Sequence, residues 1–113
     1  MALDPKLTRT IDVEYRLVPK EGLRRLALRY GLGVQRYGEG NWKRGLRDKE
    51  FIEERKNHLV EHLFTYLEQG NRNDDNLAAI AWGCFTLMEA EKVAAEDADD
   101  LKVMGVVECI PPR

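Results

Sequence analysis

Cysteine is scarce in this chain. The two present, Cys84 and Cys109, lie far apart and form no CxxC. That spacing excludes a disulfide framework and a zinc knuckle. Basic residues are not in excess either: 18 Lys and Arg stand against 20 Asp and Glu, for a net charge of -2. No cationic surface exists to follow a phosphate backbone, so duplex nucleic acid is not the main partner. No apolar run approaches the ~20 residues that cross a bilayer, and the N-terminus lacks the apolar core of a signal peptide. GxSxG and Walker-type glycine loops are absent. Gly31-Leu32-Gly33 follows no strand and makes no dinucleotide fingerprint. These absences place the chain in a reducing cytoplasm, away from the membrane. A small phosphorylated ligand stays open, because local Arg and Lys matter more there than net charge.

What is present is a globular composition, 43% hydrophobic, in a length that suits one domain over residues 1–113. Residues 1–14 read as an arm, and Tyr15-Arg16-Leu17-Val18-Pro19 as a short extended piece, since Pro19 disfavours helix at Val18. Pro19 suits the start of a helix over about residues 20–30, with Leu23, Leu26 and Tyr30 at helical spacing and Gly31 and Gly33 ending it. A Gly-rich loop is expected over residues 31–48. A second helix is predicted over residues 49–69, with Leu59, Val60, Leu63, Phe64, Tyr66 and Leu67 as its apolar face and Gly70 as its stop. After a polar turn, Asp74 or Asp75 caps a third helix over about residues 75–95. Its expected buried face is Leu77, Ile80, Ala81, Cys84, Phe85 and Met88. From Asp97 the chain reads as an acidic tail. The fold class is all-α, with two long antiparallel helices. Apolar faces this wide call for a homo-oligomer.

Two constellations carry potential chemistry. On the second helix, Glu54, His58 and Glu61 share one side, with His62 nearer the apolar edge. With Asp74 and Asp75 they suit a divalent cation, or else they are a solvated face and a boundary histidine. In the loop, Tyr37 and Trp42 are platforms on which a base stacks, Lys43, Arg44 and Arg47 suit phosphates, and Asn41 reads a base edge or holds the turn. The alternative is that Trp42 plugs the core and the basic side chains are solvated. On the third helix Asn76, Ala79 and Gly83 fall along one narrow side, which favours close helix packing over a ligand surface. Trp82 lies off the main apolar face, as a residue covering an interface would.

The run Tyr15-Arg16-Leu17-Val18-Pro19, then Tyr37-Gly38 and Asn41-Trp42-Lys43-Arg44-Gly45, then Glu61-His62-Leu63, Gly70, Asp74-Asp75 and Asn76-Leu77-Ala78-Ala79-Ile80-Ala81-Trp82, resembles phage-type dATP/dGTP diphosphohydrolase domains over residues 15–92. Residues 93–113 would then be an acidic linker and tail. The resemblance implies a MazG-like all-α bundle, an oligomer, and Mg²⁺-dependent cleavage of a purine (deoxy)nucleoside triphosphate to monophosphate and pyrophosphate. Under it His62 matches the family histidine, Asp74 its following aspartate, and Asn41 and Trp42 its loop signature. With Glu61 and Asp75 as substitutes, His62, Glu61 and Asp74 are the catalytic candidates and Glu61, Asp74 and Asp75 the candidate metal ligands. Tyr37, Asn41, Trp42, Lys43, Arg44, His58 and Asn76 are the candidate nucleotide contacts. If phage-encoded, the protein works in the host bacterial cytoplasm. The chain departs from the family pattern at Asn71, where a Glu is common. It departs again at Asn76 and Ala79, in place of two histidines, and at Glu61, in place of an Arg. Those losses suit an alternative: an oligomeric sponge that sequesters a cyclic or ADP-ribose-type immune signal without cutting it.

Overall fold

The computed structural model describes residues 11–103, with the backbone alone at Trp42 and at residues 101–103. The fold is all-α: helix α1 (Lys20–Tyr37), α2 (Lys49–Gln69) and α3 (Asn76–Val103), with single 3-10 turns at Tyr15–Leu17 and Asn41–Lys43. No strand occurs among the described residues, and none of their helices is long and apolar enough to cross a membrane.

Pro19 does hold the entry to α1. Val18 is extended, and the Leu23 amide donates to the Pro19 carbonyl at 3.2 Å. Tyr15–Leu17, expected to be extended, instead closes a 3-10 turn, with the Leu17 amide on the Glu14 carbonyl at 3.1 Å. Gly31 and Gly33 do not end α1. A helical glycine costs only about 1 kcal/mol, and the helix runs on for another turn. It stops at Gly38, whose φ of 91° is open to glycine and strained for other residues. The expected loop over residues 31–48 is thus half helix. α2 has the predicted limits. Asp48 caps its start, accepting from the Glu50 amide at 2.9 Å, and Gly70 ends it at φ 64°.

α3 runs through the acidic stretch expected to be tail, and Asp97 on it pairs with Arg47 at 2.9 Å. Arg47 precedes α2 and Asp97 lies late in α3, so the two helices are antiparallel. α3 is central: α1 and α2 both lie against it. α1 is fastened to its start by Arg25–Asp75 (2.7 Å) and Arg29–Asp74 (2.7 Å). Residues 104–113, the rest of the expected tail, lie outside the described residues.

The buried faces differ from those expected. On α3 the buried residues are Asn76, Ala79, Gly83, Thr86 and Ala90, at intervals of three and four, with Ala78 beside them. The small side Asn76/Ala79/Gly83 therefore packs closely, as expected; a Cβ at Gly83 would lie 3.2 Å from a Leu59 methyl. Leu77, Cys84, Phe85 and Met88, expected inside, are exposed. On α2, Leu59 and Tyr66 are half-buried, whereas Val60, Leu63, Phe64 and Leu67 face out, Phe64 at 60% and Leu67 at 69% exposure. The reason is steric. Small residues on α3 let α2 approach along a side that its bulkiest apolar residues do not occupy.

Candidate functional site

The side of α2 that meets α3 carries Phe51, Arg55, His58 and His62, spaced four, three and four apart and so in line along the helix. Arg55 is half-buried between two rings. Its guanidinium carbon lies 5.0 Å from the centroid of Phe51 and 5.6 Å from that of Trp82, within the range of cation–π attraction. Its Nε is buried and makes no hydrogen bond. Trp82 in turn meets Tyr30 of α1 at 6.2 Å between centroids, tilted by 50°. Burial pushes the Tyr30 phenol above its ordinary pKa.

Tyr30, Phe51, Arg55 and Trp82 border a cleft of about 630 Å³, in the size range of small-molecule sites. Arg29, Arg36 and Arg55 supply its positive charge. Tyr30, Tyr37, Phe51 and Trp82 supply its aromatic surface, and Asn41 reaches it from the turn after α1. Among the described residues Asp74 is the one carboxylate in its lining, and Arg29 holds it. A smaller pocket of about 70 Å³ adjoins, sharing Arg29, Arg55 and Trp82 and bounded further by His58, His62, Ala79 and Gly83.

Asn76 is buried at 3% exposure and fully engaged. Its amide nitrogen donates to the Gly70 carbonyl at 2.8 Å, so its oxygen is the acceptor facing His62 Nδ1 at 3.0 Å. His62 therefore carries its proton on Nδ1, and Nε2 is the nitrogen left for other work. Asp74 and Asp75 sit at the head of α3. Asp75 is the cap, accepting from the Ala78 amide at 3.1 Å. Hydrogen bonds from Arg29 to Asp74 and from Arg25 to Asp75 hold both carboxyls below the ordinary aspartate range.

The structure thus gathers some expected site residues and disperses others. Tyr37 and Asn41 line the cleft. His58 and His62 line the small pocket, so His58 does not simply point to solvent. Asn76 lies beneath His62. Lys43 and Arg44 are exposed and border neither cavity. The Trp42 side chain is outside the described residues. Glu61 is exposed and accepts from Asn57 at 3.0 Å. Among the described residues no three His, Cys, Asp or Glu side chains group to hold a metal. With Asp74 and Asp75 neutralised by arginines, the donor set in one chain does not fit Mg²⁺, and no step is derived through it. Arg29, Tyr30, Arg36, Phe51 and Arg55 were not anticipated. The one sequence signal for them was the alignment of Phe51 and Arg55 with the two histidines.

A family model described as dATP/dGTP diphosphohydrolase, N-terminal, matches residues 8–100. No curated protein and no solved structure matches the chain.

Proposed function

The chain belongs to the dATP/dGTP diphosphohydrolase N-terminal family, and from that premise we propose that it binds a purine (deoxy)nucleoside triphosphate in the cleft between α1, α2 and α3. The observation that carries this reading is the combination of three arginines with four aromatic rings around one cavity. Guanidinium groups meet phosphate oxygens in a planar fork, and rings supply stacking surface for a base. Tyr37, exposed at the mouth, and Asn41 beside it belong to the base end. Arg29, Arg36 and Arg55 belong to the phosphate end. The exposed apolar stripes of α2 and α3 support a homo-oligomer.

The family name supports cleavage to monophosphate and pyrophosphate, with His62 and a divalent cation as its expected agents. A second reading, retention of the nucleotide without cleavage, is favoured by the two arginine–aspartate pairs and by Asn76 and Ala79 at positions where the family pattern has histidines.

The test is titration calorimetry with dATP, dGTP and cyclic signalling nucleotides, with and without Mg²⁺, followed by chromatography of the mixture. Binding with release of a monophosphate establishes the enzyme. Tight binding with the nucleotide recovered intact establishes the sponge. Tyr37→Ala should weaken binding by about 1–3 kcal/mol through lost stacking. Absence of binding by every nucleotide overturns the proposal.

A further inference from the structure

The small pocket beside the cleft has an unusual lining. Arg29 and Arg55 bring two guanidinium groups, and His58 and His62 two imidazoles; the rest are Leu59, Ala79, Trp82 and Gly83. Among the described residues no carboxylate lines it. Charge of one sign gathered around a cavity selects for an anion. At about 70 Å³ the pocket is too small for a base or sugar. It has room for one tetrahedral group or a few waters. On the α3 side it is bordered by the small residues Ala79 and Gly83 as well as by Trp82.

Arg55 is the residue whose state needs a ligand. Its cation lies beside the rings of Phe51 and Trp82, contacts that use none of its hydrogen-bond donors. Its Nε is buried and unpaired, a condition that costs free energy unless something accepts from it. Of the other cationic or imidazole groups, Arg29 is already shared with Asp74 and His62 Nδ1 with Asn76.

We propose that this pocket is a subsite for a single phosphoryl group, with Arg55 as its principal donor and His58 as a secondary one. The proposal rests on the reading of the adjoining cleft as a nucleotide site and deepens it. A nucleotide lying in the cleft places its terminal phosphate in the pocket, so the site prefers a triphosphate to a monophosphate. The same chemistry admits free phosphate or pyrophosphate.

The experiment measures, by calorimetry, the affinities of the full-length protein for dGTP, dGMP and pyrophosphate, then repeats them on Arg55→Gln and on His58→Gln. Circular dichroism checks that each variant folds. Since His58 is largely exposed, its variant keeps the test open if the loss of Arg55 disturbs packing. Arg55→Gln should lower the dGTP-over-dGMP preference by at least about tenfold, the scale of one charge-assisted hydrogen bond, and His58→Gln should lower it less. Competition by pyrophosphate in the wild type, lost in Arg55→Gln, marks the pocket as open to the free anion. A preference that does not move in either folded variant overturns the subsite. If no nucleotide binds the wild type, the functional reading of the cleft fails. The pocket is then judged by pyrophosphate alone: binding that depends on Arg55 sustains it, and no binding removes it.

Discussion

The two sides of α2 have exchanged their usual roles. The side that meets α3 carries Arg55, His58 and His62, while the side that faces away carries Val60, Leu63, Phe64 and Leu67. In a self-sufficient bundle the apolar stripe would face inward. Here the polar side faces small residues on α3 and borders cavities, so the inner face carries the candidate site. The outer face, with Phe85 and Met88 of α3 also exposed, is where the proposed homo-oligomer would form. The contrast teaches that the most apolar stripe of a helix need not mark the core of its own chain.

The contrast breaks most sharply on the outer face. Wild-type protein should run as a dimer or larger in light scattering after gel filtration. Leu63→Glu with Phe64→Glu should run as a monomer, because burying unpaired carboxylates costs more than about 3 kcal/mol. A monomeric wild type at micromolar concentration would mean that the outer stripe is merely tolerated.

On the inner face the tightest point is Gly45, where a Cβ would overlap the Phe51 ring. Gly45→Ala should destabilise by about 1–3 kcal/mol as the ring is displaced from Arg55. Urea unfolding measures it, and an unshifted midpoint would show that Phe51 moves aside freely.

Asp75 both caps α3 and pairs with Arg25. Asp75→Ala should cost about 1 kcal/mol or somewhat more through the cap. Asp75→Asn, which can still cap, should cost less. Equal losses would assign the effect to the ion pair instead.

The smallest effect is that of acid. Asp74 and Asp75 have folded-state pKa values lowered by their arginines. Their contribution is therefore fully present above the unfolded value of about 4 and is lost as pH falls through the depressed folded value. Melting temperature should be flat from neutrality down to about pH 5 and drop below about pH 4. In Asp74→Asn the drop should be shallower.

Much of this architecture was legible residue by residue. Local chemistry set the all-α class, the start of α1 after Pro19, both ends of α2 and a cap at Asp74 or Asp75, because proline, glycine at positive φ and capping carboxylates act over a few residues. The small side of α3 was legible too, since side-chain size at helical spacing is written directly in the chain. Gly31 and Gly33 misled because a glycine permits a helix end without requiring one. It is Gly38 that takes the left-handed turn.

The site was legible only in part. Tyr37, Asn41 and the histidines were visible as types, but Arg29, Arg55 and Trp82 converge from three helices and share no sequence neighbourhood. The sequence by itself determined where each helix begins, where α2 ends and which family the chain joins. Tertiary structure alone decided which side of α2 turns toward α3. That choice depends on how closely two backbones approach, and so on the small residues of one helix meeting the side chains of another.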